Sequence, residues 1–494
     1  MPAKASPLLI PRPVKGQQLS AAVLSPRRTM HTAAGKAEAG PGFYFGTASA
    51  SYQVEGAHDV DGRRPSIWDT FCHTPGKTAN GDSGDIAIDF YHRYEEDIQS
   101  MKELGIQVFR FSISWPRIFP DGSGQVNQAG LDFYSRLIDA LLAAGIEPSV
   151  TLYHWDLPQA LHDRYGGWLS DQIVPDFVAF AEACFSAFGP RVTYWTTFNE
   201  PWTFIWMGYS VGAHAPGRGP TCAEGSQQEP WICTHNVLNA HAAAVASFRR
   251  LVPHGKISIN FNTEWAEPLT DSPADKAAAQ RHMDFFLGIY ADPVYFGEYP
   301  QSVRDRVPCL PHFSDEQRRL LQGSADYFAL NYYTSRYVRD GGDNEEGTTS
   351  LTERDGQVIG RQADSEWLYS VPWAFRKLMV YIDRRYGHPE MHITENGCSV
   401  PKESQLALPE ALEDTFRVQY YKDHLAEIEG AKHEDGVDIR GFCAWSWADN
   451  LEWADGFDKR FGIVHVDYRN GLKRTPKASA KWLSEYFKGA ACGR

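Results

Sequence analysis

The sequence has no Asn-x-Ser/Thr sequon, no Cys-x-x-Cys pair and no uninterrupted apolar run near the ~20 residues a membrane helix needs. The missing sequon argues against passage through the secretory pathway. The missing cysteine pair excludes a zinc ribbon and a thioredoxin-type redox motif. The eight cysteines are scattered; only Cys222 and Cys233 share one loop-like stretch and could pair, with free buried thiols the alternative in a reducing compartment. No P-loop is present, and no Gly-x-Gly-x-x-Gly opens a helix after a strand. His154 and His162 lack further ligands for a metal, and the acidic stretch at 80–89 lacks the order of a calcium loop. Neither a metal nor a cofactor is therefore expected, and the acidic stretch reads as the cap of a helix beginning near Ile86. Positive charge is scarce outside residues 1–40. That segment carries six bases and one acid, and the remainder has 61 acids against 42 bases. Such a body repels nucleic acid and anionic lipid.

The first 40 residues also lack the apolar core of a secretory signal. Being basic and acid-poor, they read as a disordered or transit-peptide-like extension, which places the protein inside the cell, in a plastid or mitochondrion if the extension is a transit peptide. Aromatic residues, by contrast, are plentiful, with 15 Trp, 23 Tyr and 27 Phe. Many stand beside polar residues, which suits the stacking of sugar C–H faces, although most single rings are better explained as core.

Eight short β-rich runs occur at 43–46, 108–113, 148–153, 193–198, 256–261, 326–331, 391–394 and 440–445. Between them lie amphipathic patterns, clearest at 90–105 and 130–145, each ending on Gly. This alternation predicts an α/β fold, a (β/α)8 TIM barrel forming a single domain over 41–488, with 489–494 as a short tail. The body exceeds the usual barrel length, so long βα loops are required, and 201–235, 263–315 and 339–370 are the candidates.

A barrel carries its chemistry at the C-terminal ends of its strands. The residues there are Gln53, Arg110, His154-Trp155, Asn199-Glu200, Asn262, Asn331 with Tyr333, Glu395, and Trp445 followed by Glu452-Trp453. Two of them, Glu200 in TFNEP and Glu395 in ITENG, are carboxylates that follow apolar strands, where ionised groups are costly unless solvated, paired or used. A lone Glu there would be read as a loop-ordering ion pair. Two carboxyls converging from strands 4 and 7 meet the requirement of glycosidic cleavage, with about 5–5.5 Å between them if configuration is retained.

The segments GTASASYQVEGA (46–57), FRFSISWPRI (109–118), YHWDLP (153–158), TFNEP (197–201), ITENG (393–397) and NLEWADGFDKRFGIVHVDY (450–468) resemble glycoside hydrolase family 1, the β-glucosidase family, from about residue 42 to residue 487. The resemblance implies a retaining β-glycosidase acting on a small-molecule β-glycoside through a covalent glycosyl-enzyme. It implies that Glu200 is the acid/base and Glu395 the nucleophile. Gln53, His154, Trp155, Asn199, Glu452 and Trp453 match the pocket for the non-reducing sugar, with Trp445 as the platform beneath it. Asn331 belongs with this binding set. Arg110 and Tyr333 match the groups that orient the nucleophile, and Arg110 is expected to lower its pKa. Asn262 and Trp373 are similar to positions on the aglycone side. Family members acting on 6-phospho-sugars replace Glu452 with Ser, and those cleaving thioglucosides replace Glu200 with Gln, so neutral O-glycosides are implied here. Transfer of the glycosyl group to an alcohol, lipid or sugar is the alternative, since it runs through the same intermediate. A non-catalytic sugar-binding relative would need a damaged site, and none is seen.

Overall fold

The computed structural model describes residues 42–219 and 227–492. The N-terminal extension and Cys222 lie outside them. All eight β-rich runs form strands: β1 (Tyr44–Ala48), β2 (Val108–Ser112), β3 (Glu147–Tyr153), β4 (Tyr194–Asn199), β5 (Lys256–Asn262), β6 (Phe328–Asn331), β7 (Met391–Asn396) and β8 (Ile439–Trp445). They close into one parallel barrel in sequence order, with β1 paired to both β2 and β8. The chain is thus a (β/α)8 barrel.

The strands are buried on both faces, so they read as near-continuous apolar runs rather than alternating ones. Phe109, Val150, Trp195, Ile257, Phe328, Ile393 and Phe442 are all fully buried. Helices cover the outside. Phe90–Leu104 ends on Gly105 at φ +79°, a left-handed cap that glycine takes without strain. Ile173–Phe188 belongs to the one segment among the described residues long and apolar enough to cross a bilayer. Its Ile173, Phe177, Phe180 and Phe185 are instead buried in the barrel core.

One expectation changes. The acidic stretch at 80–89 does not cap a helix at Ile86. The helix starts at Phe90, and Asp89 makes no side-chain cap. Its acids pair across loops instead: Asp82 accepts from the backbone N–H of Phe457, and Asp85 pairs with His73 at 2.9 Å. The final helix, Ala478–Cys492, crosses the boundary expected at residue 488. The three long insertions carry structure of their own. Those after β5 and β6 contribute Trp265–Pro268, Ser335–Asp340 and Thr348–Leu351, which pair into a separate three-stranded sheet.

Candidate active site

Strand register gathers the site. Asn199 of β4 pairs with Asn260 of β5, Asn262 with Asn331 of β6, and Asn331 with Glu395 of β7. The ladder slips one step between Thr196 and Asn199, and again between Ile393 and Glu395. Such bulges re-aim the side chains at a strand end. Glu200 follows at φ +47°, with Trp155 at +78° and Trp453 at +52°. Non-glycine residues in this left-handed region cost of order 1–3 kcal/mol each and persist where the surrounding structure enforces them.

A cavity of about 690 Å³ opens over these ends. Of the expected residues, His154, Trp155, Asn199, Glu200, Asn262, Asn331, Tyr333, Glu395, Trp445, Glu452 and Trp453 line it. Arg110 is fully buried beneath, reaching Glu395 Oε1 with one guanidinium nitrogen and Asn199 Oδ1 at 2.7 Å with the other. Two do not line it. Gln53 is buried and spends its amide N–H groups on Asn450 at 3.0 Å and the Leu451 carbonyl at 2.8 Å. Trp373 is a correction. It packs in a satellite cluster with Tyr337, Ile359 and Val371, under the ammonium of Lys377. Trp373 opens a helix, Pro372–Arg385, and that helix turns it away from the cavity. Trp367, 45% exposed, lines the cavity instead.

The two carboxyls sit in different surroundings. Glu395 receives Arg110 on Oε1 and the Tyr333 hydroxyl on Oε2 at 2.7 Å. Glu200 receives Asn331 Nδ2 on Oε1 at 2.7 Å and the Thr203 hydroxyl on Oε2 at 2.8 Å. Asn262 in turn donates to Thr203 Oγ1 at 2.7 Å, so this residue supports Glu200 through a relay. Thr203 lies on the helix turn Pro201–Ile205 and went unnoticed in the sequence; its place three residues after Glu200, one turn on, was the available signal.

Burial raises the Glu200 carboxyl, and the neighbouring charge of Glu395 raises it further, to about 8, against the pull of Asn331, Thr203 and Arg110. Glu395 is also raised overall, although Arg110 lowers it as expected. Burial outweighs the lowering by Arg110, Tyr333 and Asn331. Arg110 therefore limits the rise rather than reversing it. Glu452 is pushed well above the usual carboxylate range by burial, then by Asp455, Glu395 and Glu200. His154 is held neutral by burial and by Arg110. Its ring lies near parallel to those of Trp445 (5.8 Å, 17°) and Trp453 (5.8 Å, 22°). Trp155 donates its indole N–H to the Asn199 carbonyl at 2.9 Å. Among the described residues, no group of three or more His, Cys, Asp or Glu is arranged to hold a metal.

The profile of Glycosyl hydrolase family 1 matches residues 37–490. Beta-glucosidase 40 of Arabidopsis thaliana is 48% identical over 467 residues, covering 90% of this chain and 92% of that protein. The crystal structure of the rice β-glucosidase Os3BGlu6 superimposes with a TM-score of 0.88 at 46% identity, covering 90% of this chain and 98% of that one. A mutant of the same rice enzyme is described in a covalent complex with Glc. The β-glucosidase of Trichoderma harzianum gives a TM-score of 0.89 at 43% identity, covering 93% of this chain and 99% of that one.

Proposed function

Since the chain belongs to glycosyl hydrolase family 1, and is thereby a hydrolase of O-glycosides of the β-glucosidase type, we propose that it releases terminal β-D-glucosyl residues from neutral glycosides by double displacement, with Glu395 as nucleophile and Glu200 as acid/base. In the first step a Glu395 oxygen attacks the anomeric carbon and the bond to the leaving oxygen breaks. The leaving oxygen keeps the electron pair and takes the proton of Glu200. In the second step the Glu200 carboxylate takes a proton from water. The hydroxide attacks the anomeric carbon, and the bond to Glu395 breaks.

The observation that carries this reading is the contrast between the two carboxyls. Glu395 is bound by a guanidinium and a phenol, the donors that favour a carboxylate. Glu200 is shifted to about 8, which keeps its proton available near neutrality. Trp445 serves as the sugar platform, while His154, Asn199, Glu452 and Trp453 face its hydroxyls. The negative charge of Glu395 on this cavity disfavours a phosphorylated sugar.

Hydrolysis of an aryl β-glucoside should vanish in Glu395→Gln and return with azide in Glu395→Gly. No activity of the unmodified chain on any aryl β-glycoside would reject the proposal. A crystal structure should place the carboxyl groups about 5–5.5 Å apart; a spacing near 9 Å would mean inversion. Transfer to an alcohol, lipid or sugar acceptor is the second reading, favoured by the aromatic groups Trp202, Phe286 and Trp367 on the cavity wall, which give an acceptor a place to bind. Products that stay purely hydrolytic when acceptor is added would reject it.

A further inference from the structure

On its way to Glu200, β4 carries one residue more than its neighbour. Between the pairs Thr196–Ser258 and Asn199–Asn260, β4 advances three residues and β5 two. Such an extra residue places two successive side chains on one side of the sheet. Thr196 faces the barrel interior, where its hydroxyl meets Thr151 Oγ1 at 2.8 Å, and Thr151 accepts from Arg110 Nε at 3.1 Å. Thr197 and Phe198 both face the helices. Thr197 Oγ1 meets His241 Nδ1 at 2.7 Å on the helix Glu229–Leu251, and Phe198 stacks on Phe177 at 4.5 Å on Ile173–Phe188. Asn199 then returns inward to Arg110. In a regular strand Phe198 would follow Thr196 inward and Asn199 would point outward. The bulge thus turns Asn199 to the cavity. It delivers Glu200 at φ +47°, with its backbone N–H on the Asn260 carbonyl at 3.0 Å.

Thr197, His241 and Ser324 are all buried. Ser324 gives its hydroxyl proton to the Leu321 carbonyl at 2.6 Å, so toward His241 Nε2, at 3.0 Å, it can only accept. Burial pushes the imidazole down to about 3, and the neutral ring carries a single N–H. That N–H is therefore on Nε2, Nδ1 is an acceptor, and the Thr197 hydroxyl donates to it. The Ser258 carbonyl, at 3.4 Å, is the weaker acceptor for Thr197. The hydrogen bonds run in one direction, from Thr197 through His241 and Ser324 to Leu321. Elsewhere in the core such a chain would only satisfy buried polar groups; this one ends on the bulge.

We propose that His241 is a positioning residue for the acid: anchored by Ser324, it holds Thr197 on the helix side, keeps the bulge of β4 in place, and so sets where the Glu200 carboxyl meets the leaving oxygen. The proposal rests on the reading of Glu200 as acid/base. Misplacing a reacting group by about 1 Å can cost about a hundredfold in rate.

The test compares kcat/KM for methyl β-glucoside, whose leaving alkoxide needs the proton of Glu200, with that for 2,4-dinitrophenyl β-glucoside, whose phenolate leaves without one. Both values report formation of the glycosyl-enzyme, so the base role of Glu200 in the second step does not enter. Loss of folded protein lowers both equally, so a purely structural role does not move their ratio. Thr197→Val should lower the ratio of methyl to dinitrophenyl substrate about tenfold or more. Thr197→Ser, which keeps the hydroxyl, should restore it. A smaller fall in the first variant, or an equal fall in the second, overturns the inference. Should Thr197→Val fail to fold around the orphaned Nδ1, Thr197→Val combined with His241→Phe replaces both partners by apolar groups of similar shape. The double variant should show the same fall, and an unchanged ratio in it overturns the inference. Glu200→Gln should lower the ratio most; no fall there would reject the acid/base reading itself.

Discussion

Removing the charge on Glu395 should bring the Glu200 carboxyl down from about 8 toward its ordinary range. Burial and the Glu395 charge are the two causes of its rise, and only the second can be switched off without rebuilding the pocket. At the spacing of a retaining pair and an effective dielectric of about 20, one unit charge is worth roughly 3 kcal/mol, or about two decades in proton affinity. Glu200 should then titrate near about 6 once Glu395 is neutral, the remainder being burial. The perturbation has two forms, Glu395→Gln and trapping of Glu395 by a 2-deoxy-2-fluoro glucoside. Carbon-13 NMR of labelled glutamate reads the titration directly in the free, substituted and trapped proteins. The sign follows from the role: the acid works only with its proton, so kcat/KM of the unmodified protein should fall as pH rises through about 8. Glu200 titrating at the same pH in all three forms would refute the coupling and leave burial as the whole cause.

Four further outcomes are expected. Glu200→Gln should be more stable than the unmodified protein at pH 7, by up to about 3 kcal/mol. The folded pKa lies above the ordinary 4.5, so the stabilising contribution of the protonated form is complete below that value and lost as pH rises through about 8; equal denaturant midpoints at about pH 4 and a higher one for the variant at pH 8 would check it. Arg110→Met should leave Glu395 buried without its cation, costing about 3–5 kcal/mol in unfolding and moving the acidic limb of the pH–rate profile upward. Thr203→Val should remove a donor to Glu200 Oε2, raising its pKa and shifting the alkaline limb upward by about one pH unit, visible in kcat/KM. Lys477→Met should lower the denaturant midpoint by the equivalent of about 3–5 kcal/mol, because the buried ammonium holds Asp449 at 2.6 Å and also pairs with Glu403.

Local pattern determined the elements of this protein. The apolar runs and the helical spacing between them located all eight barrel strands, since strands buried on both faces announce themselves by composition alone. The motifs likewise located the two glutamates and most of the residues around them, because barrel chemistry sits at strand ends that can be counted along the chain. The tertiary structure decided everything that depends on which distant groups meet. Neither the burial that outweighs Arg110 at Glu395, nor the Asn262–Thr203–Glu200 relay, is visible without the register that sets β4, β5 and β6 side by side. The same holds for the exchange of Trp373 for Trp367, six residues apart, where helix geometry turns one indole into a satellite core and leaves the other over the cavity. His282 hydrogen-bonds Glu264 at 3.1 Å and Glu346 at 2.9 Å, joining residues from two insertions whose sequences carry no shared motif. Side-chain identity is local, but pKa, specificity and support arise from Coulomb and hydrogen-bond partners that only the closed barrel and its outer sheet bring together.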